Sequence, residues 1–151
     1  MTKIIVLDTG SLGMVSNPRA QSADCKACQK WLKSMLSQGH VIAIPEIADY
    51  EIRRELLRAN RTASIRQLEQ IKDVGLYLPI TTAVMLRASQ LWAIARQGGQ
   101  PTADPKALDG DVILAAQVLE SFDPILMPIV ATTNVSHLSR FVASDDWKNI
   151  T

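Results

Sequence analysis

Short apolar runs alternate along this chain with longer segments in which apolar residues recur three and four positions apart. The short runs predict β-strands, and the longer segments predict amphipathic helices. The predicted strands cover residues 4–7, 41–44, 76–80 and 128–133, with a last edge strand at 146–150. The predicted helices cover residues 19–38, 45–60, 62–73 and 82–97, and a further helix runs from Asp109 or Asp111 to about Phe122 after a Pro- and Asp-rich loop at 100–111.

This alternation predicts an α/β fold, in which a small parallel sheet of about four or five strands is flanked by helices. The strands "IIVL", "VIAI" and "PIVA" are continuously apolar, as strands buried on both faces are. A length of 151 residues predicts a single domain over residues 1–151. Binding sites in open parallel sheets form beyond the carboxyl ends of the strands. The polar residues that follow each strand are therefore the candidates for function.

Acidic, hydroxyl and amide side chains recur at these positions. They are Asp8 and Thr9 after the first strand, Glu46, Asp49, Glu51 and Glu55 in the helix after the second, Asp109 and Asp111 at the start of a late helix, and Thr132, Asn134 and His137 after the fourth. Each acid also has an ordinary interpretation. Asp8 would cap a helix, Asp111 would favour a helix dipole, and Glu51 would be a solvated helix acid. The ordinary interpretations do not predict a common location, whereas a binding site does.

Four segments, in order, resemble the PIN domain and more narrowly the VapC-type toxin ribonucleases. They are "IIVLDT", "IPEIADYEIRREL", "DVILAA" and "VATTNVSHL", and together they extend over nearly the whole chain. The resemblance implies a PIN-like three-layer fold and Mg²⁺- or Mn²⁺-dependent cleavage of RNA. It also implies a small antitoxin protein as partner and a homodimer, for which the apolar helix side chains Leu86, Leu91 and Trp92 are candidates.

The resemblance also implies the site residues, position by position. The metal ligands are expected at Asp8, Glu51 and Asp111, with Glu46 as a weaker alternative to Glu51, and Asn134 completes the catalytic set. Thr9, Thr132, Asp109 and His137 are expected to support it. His137 stands where the family often has a fourth acid, which is a departure from the pattern.

The chemistry of RNA cleavage independently favours such a set. Hydrolysis of a phosphodiester needs an activated water and shielding of negative charge, and a divalent metal ion supplies both. Mg²⁺ prefers carboxylate and water oxygens. Two carboxylates about 4 Å apart repel by roughly 4 kcal/mol at an effective dielectric of 20, so a cluster of acids favours a bound cation. Asp109 and Asp111 lie on different sides of a helix, and Asp111 is the preferred ligand, with Asp109 capping the helix or orienting Asp111.

Positive charge near the acids is concentrated in one basic group, from which Arg54 and Arg58 are predicted to bind substrate. The group consists of Arg53, Arg54, Arg58, Arg61 and Arg66, and a solvated helix face explains it equally well. The net charge of +1 limits nucleic-acid binding to such a local patch. The pair Cys25 and Cys28 has no second pair to complete a zinc site. Two reduced helix thiols without chemistry are therefore expected.

The chain has neither a signal-peptide pattern nor an apolar run of membrane-spanning length, which predicts a cytoplasmic protein without a membrane partner. A metal-dependent endoribonuclease is the preferred function. A catalytically weak RNA-binding PIN protein is the alternative, since His137 replaces an acid. A phosphatase with a nucleophilic Asp8 is a weaker third hypothesis, because Gly10 stands where a second acid is expected.

Overall fold

The computed structural model describes residues 1–99 and 105–151, and within these ranges five parallel strands form one sheet. The strands are β1 (Ile4–Leu7), β2 (Val41–Pro45), β3 (Leu76–Leu78), β4 (Ile129–Thr132) and β5 (Ser144–Asp146). The helices are α1 (Thr9–Val15), α2 (Ala23–Ser37), α3 (Glu46–Arg58), α4 (Thr62–Val74), α5 (Thr82–Gln97), α6 (Pro105–Ser121) and α7 (Val135–Leu138). The predicted α/β class with a small parallel sheet between helices is confirmed.

The strand order is β3-β2-β1-β4-β5, so that β1 lies at the centre of the sheet. Ile5 is in register with Ile42 of β2 on one side and with Ile129 of β4 on the other. Because every pair is parallel, the carboxyl ends of β1, β2 and β4 meet at one edge. The side chains that follow these three strands are thereby brought together.

Helices cover both faces of the sheet. Ile5 and Leu7 face a core formed with α1 and α2, whereas Val6 faces a second core formed with α6. This alternation follows from the two-residue period of a strand. Since β1 contributes to both cores, its three residues Ile5, Val6 and Leu7 are completely buried, which explains the continuous apolar run.

The structure corrects two helix predictions. α1 was not predicted, because its sequence "TGSLGMV" contains two glycines, which are poor helix formers. α6 begins at Pro105, earlier than Asp109 or Asp111, with proline at the helix start where its missing N–H costs nothing. The predicted loop at 100–111 is therefore wrong from Pro105 onwards, and its first part, residues 100–104, lies outside the described residues.

The chain end also differs from the prediction. The last edge strand is Ser144–Asp146, earlier than the predicted 146–150, and Trp147–Asn149 form a 3-10 turn instead. Trp147 is buried there with its ring centroid 5.9 Å from that of Trp31. Among the described residues, no helix combines the length and the apolar character needed to cross a membrane.

Candidate functional site

A cavity of about 330 Å³ opens at the carboxyl edge of β1, between α1, α3, α6 and the segment after β4. Its lining includes Asp8, Thr9, Glu51, Asp111, Asn134 and His137. The three acids expected to bind metal thus line one cavity, although more than 100 positions separate the first from the last. Thr132 lies immediately beneath the cavity and contacts Asp8.

Asp8 is fixed in position by hydrogen bonds to both carboxylate oxygens. The backbone N–H and the hydroxyl of Ser11 donate to Oδ1 at 2.8 and 2.9 Å. The hydroxyl of Thr132 donates to Oδ2 at 2.5 Å. Asp8 is therefore the N-cap of α1 and a lining residue of the cavity, so that its ordinary interpretation and its predicted location both hold. Ser11 was missed by the sequence reasoning, although a serine three residues after a capping aspartate is a signal for such a contact.

Glu51 reaches the cavity from the second turn of α3. The Thr9 hydroxyl donates to its Oε1 at 2.8 Å. A Cβ atom on Gly110 would lie 3.4 Å from both of its carboxylate oxygens, so the absence of a side chain at this position allows α6 to approach Glu51 closely. Gly110 was not predicted as a site residue, and its place between Asp109 and Asp111 is the only sequence signal for it.

Gly10 also leaves room at the site. A Cβ atom there would lie 3.3 Å from the Thr133 hydroxyl and 3.6 Å from Oδ1 of Asp8. A larger side chain would extend from this point into the neighbourhood of the carboxylate. A glycine at this position therefore leaves the space beside the Asp8 carboxylate open.

Asp111 carries a charge that the surrounding protein compensates poorly. Its Oδ2 is buried, and in the described part of the chain this atom accepts no hydrogen bond. The nearest basic atom paired with it is Nδ1 of His137, at 3.7 Å. Burial raises the pKa of Asp111 above its ordinary value, and the charges of Glu51 and Asp8 add to this rise, while His137 and Arg140 oppose it. The cavity therefore favours a cation or a proton beside Asp111.

The spacing of these acids limits how a metal ion could be held here. Within residues 1–99 and 105–151, no three His, Cys, Asp or Glu side chains are grouped closely enough to enclose a metal ion directly. Mg²⁺ keeps several of its waters and is commonly bound through one or two carboxylates. The carboxylates of Asp8, Glu51 and Asp111, with the buried Asp111 oxygen that accepts no hydrogen bond, have the chemistry for such a hydrated ion and do not form the closed cage of a structural site.

Two other acidic candidates, Asp109 and Glu46, do not line this cavity. Asp109 is exposed in the second turn of α6 and lines a groove against α5 with Met85 and Trp92. The predicted capping role of Asp109 is therefore wrong, because α6 begins before it, and the structure does not bring it to Asp111. Glu46, the weaker alternative to Glu51, instead accepts hydrogen bonds from the Tyr77 hydroxyl and the Ile80 N–H at 2.8 and 2.7 Å.

The two arginines predicted to bind substrate differ in their surroundings. Nη2 of Arg54 lies 4.0 Å from Oε2 of Glu51, and its guanidinium lies over the Tyr50 ring at 5.1 Å. Arg58 pairs with Glu55 at 2.8 Å on an exposed face. Arg54 is thus beside the cavity, while Arg58 is engaged one turn further along. Their substrate-binding role stays a prediction.

The two cysteines are free thiols. Cys28 is buried in the core, and burial together with the nearby Cys25 raises its pKa to about 12. A thiol with this pKa is protonated at neutral pH and is a poor nucleophile and metal ligand. That the pair as a whole has no chemistry stays a prediction.

No protein-family model and no curated protein matches the sequence. Solved structures do match. A chain of VapBC2 from Rickettsia felis, bound to a DNA fragment from its promoter, has a TM-score of 0.70 at 14% identity, with 95% of this chain and 98% of that chain covered. VapBC-1 from nontypeable Haemophilus influenzae has a TM-score of 0.63, and DNA-bound VapBC from Salmonella typhimurium has 0.62; in both the identity is 18%, and 97% of this chain and 99% of that chain are covered.

The fold and the site together define an α/β protein with an acidic cavity at the carboxyl edge of a parallel sheet. The resemblance to VapC-type PIN-domain proteins is confirmed at the level of the fold, over nearly the full length of each chain compared.

Proposed function

We propose that this protein is a metal-dependent endoribonuclease and the toxin of a type II toxin–antitoxin pair. One observation carries the proposal: Asp8, Glu51 and Asp111 line a single cavity, and one oxygen of Asp111 is buried there without a hydrogen-bond donor. A buried carboxylate oxygen without a partner is costly unless something compensates it. A divalent cation is the compensating group that suits three carboxylates.

The ion proposed is Mg²⁺ or Mn²⁺, held by Asp8, Glu51 and Asp111. When bound, it would activate a water and shield the negative charge that develops on the phosphate. Ser11 and Thr132 keep the Asp8 carboxylate in one orientation, and Thr9 does the same for Glu51. These hydrogen bonds reduce the reorganisation needed when substrate arrives.

Asn134 and His137 also line the cavity, and their proposed role is to contact the substrate. The Asn134 N–H donates to the Thr132 hydroxyl at 2.8 Å, which ties the segment after β4 to Asp8. His137 stands beside Asp111 and is proposed to bind a water or a phosphate oxygen in place of a fourth carboxylate. Arg54, at the rim, is proposed to attract the RNA backbone.

A small antitoxin is the proposed partner, because the structures that share this fold are VapBC proteins. A homodimer is also proposed. Leu86 and Trp92 on α5 are 63% and 38% exposed and are therefore accessible to a second copy, whereas Leu91 is partly buried against the core. Since the substrate is cellular RNA, the proposed location is the cytoplasm.

RNA cleavage by matched variants of α3 tests the proposal. Glu51→Gln removes a charge inside the cavity, and Glu55→Gln removes the same charge one turn away, where the carboxylate pairs with Arg58. We expect the unmodified protein to cleave RNA in Mg²⁺ or Mn²⁺ and EDTA to abolish this cleavage. Glu51→Gln should lower the cleavage rate by about 10²-fold or more, whereas Glu55→Gln should change it by no more than a few-fold. Equal cleavage by both variants would contradict the assignment.

A catalytically weak RNA-binding protein is the second candidate. His137, when protonated, partly compensates Asp111 without a metal, which favours a binding function. RNA binding that survives Asp8→Asn, with no cleavage by the unmodified protein at any Mn²⁺ concentration, would select this candidate over the nuclease.

A further inference from the structure

A second cavity, of about 310 Å³, opens between the end of α1, the second half of α3 and the start of α4. We call it the arginine cavity, after Arg19 and Arg61 in its lining. Thr9 and Glu51 of the candidate site are each four residues before Gly13 and Glu55 of the arginine cavity, on the same two helices. Four helical residues span about 6 Å, so the two cavities are neighbours along these two helices.

The charge in the arginine cavity is positive. Arg19 and Arg61 are exposed, and neither forms an ion pair with any side chain that the structure describes. The acid that lines the cavity is Glu55, and its Oε2 already pairs with Arg58 at 2.8 Å. Two guanidinium groups therefore remain available to an anion.

The start of α4 adds hydrogen-bond donors to this charge. Arg61 is the N-cap of α4, and its side chain makes no capping hydrogen bond, so the first N–H groups of the helix are not capped by it. Ser64, in the first turn, lines the cavity and is only 7% exposed. Helix N-terminal amides, a hydroxyl and guanidinium groups together form the chemistry that recognises phosphate.

We propose that the arginine cavity binds a backbone phosphate of single-stranded RNA whose neighbouring segment occupies the candidate site. The inference rests on the proposed function for the identity of the ligand, but not for the existence of the site. The separation of about 6 Å corresponds to roughly two nucleotides of a stacked strand at about 3.4 Å per phosphate. α1 and α3 contact each other through the Thr9–Glu51 hydrogen bond, so a strand would lie across the outer surface of these two helices, with one phosphate near the candidate site and another beside Arg19 and Arg61.

RNA binding in EDTA tests the proposal without requiring cleavage. Fluorescence anisotropy with a short single-stranded RNA is measured for the full chain, for Arg19→Ala and for Arg61→Ala over a series of salt concentrations. Arg66→Ala is the matched control, because Arg66 is an exposed arginine of the same helix that does not line the cavity. Thermal melting of each variant confirms folding, which the exposed positions are expected to preserve.

We expect Arg19→Ala and Arg61→Ala each to weaken RNA binding by roughly fivefold and to reduce the slope of log affinity against log salt by about 0.7, the value for one lost single-strand phosphate contact. Arg66→Ala is expected to change the affinity by less than about twofold. An equal loss in all three variants, or no loss in any, would overturn the proposal.

Titration with inorganic phosphate separates the two sources of the ligand. We expect phosphate to shift the amide resonance of Ser64 in the unmodified protein and not in Arg61→Ala. If the shift depends on Arg61 while RNA binding does not, the cavity serves free phosphate and the proposal is overturned. If Arg19→Ala and Arg61→Ala selectively lose RNA binding while the unmodified protein never cleaves RNA, the arginine cavity is upheld and the nuclease is rejected. Failure of this proposal and failure of the proposed function are therefore distinguishable.

Discussion

Asp49 and Asp111 are both largely buried carboxylates, but they differ in the partners that compensate their charge. Asp49, on α3, is paired with Arg53 at 2.9 Å and with Lys72 at 3.6 Å, with 10% of its side chain exposed. Asp111, on α6, has Oδ2 buried without a hydrogen bond, and His137 at 3.7 Å is the basic partner found for it in residues 1–99 and 105–151.

The difference separates an acid whose charge is paired within the protein from one whose buried oxygen accepts no hydrogen bond. A buried charge needs a partner, and removing the partner of such a charge is costly. Asp49 has its partners within the protein and joins α3 to α4. Asp111 shares its cavity with Asp8 and Glu51, whose negative charges raise the pKa of Asp111. A divalent cation is proposed to compensate the charges of Asp8, Glu51 and Asp111.

The largest expected effect comes from neutralising an acid of the cavity. Asp8→Asn should lower metal-dependent RNA cleavage by about 10²–10³-fold, because it removes a charge from the proposed ion site. Asp49→Asn, which neutralises an acid with internal partners, should keep cleavage within a few-fold. Initial rates with a labelled RNA compare the two variants, and a loss of similar size in both would remove the distinction between the two acids.

Asp49→Asn should reduce the stability of the protein, although it should leave cleavage nearly unchanged. Asp49→Asn is expected to lower the free energy of unfolding by about 1–3 kcal/mol, because Arg53 loses a charged hydrogen-bond partner and Lys72 loses an ion pair. Urea denaturation at neutral pH measures the change. Glu55→Gln is the control, since its pair with Arg58 is exposed and is expected to contribute at most about 1 kcal/mol. If Asp49→Asn is as stable as the control, the pairs of Asp49 do not stabilise the fold.

The smallest expected effect is a gain in stability when Asp111 is neutralised. Burial raises the folded-state pKa of Asp111, so protonated Asp111 favours the folded state. That contribution is present at low pH and is lost as the pH rises from the ordinary value of 3.8 through the raised pKa. Asp111→Asn should therefore stabilise the metal-free protein by about 0.5–2 kcal/mol at neutral pH, while cleavage is lost.

Melting curves of this variant and the unmodified protein, measured in EDTA over a pH series, test the sign. The stability difference should shrink as the pH falls towards 3.8. A destabilised Asp111→Asn at neutral pH would mean that the carboxylate is already compensated within the protein.

Much of the fold could be predicted from the sequence because its signals are local. The run from Ile4 to Leu7, ending on Asp8, has the pattern of a central parallel strand. The parallel topology then explains why Asp8 and Asp111 meet. The unpredicted helix α1 has a glycine-rich sequence, and its formation depends on the cap by Asp8 and on burial of Leu12 and Val15.

The details of the site depend on contacts between distant residues, which a single sequence does not reveal. Gly110 matters because Glu51 lies against it, and Thr132 because its hydroxyl reaches Asp8. The predicted role of Asp109 as a cap was wrong because the start of α6 was predicted too late. The prediction that Asp109 and Asp111 lie on different sides of the helix agrees with the structure, in which Asp109 lines the groove against α5.

Calorimetric titration with Mn²⁺ tests most directly whether the cavity holds a divalent ion. The titration is made on the unmodified protein, on Asp8→Asn and Asp111→Asn, and on Asp49→Asn as the variant with an acid removed elsewhere. We predict Mn²⁺ binding by the unmodified protein and by Asp49→Asn, and binding that is weakened at least about tenfold by each of the other two changes. An unmodified protein that binds no Mn²⁺, or four proteins that bind it equally, would contradict the account.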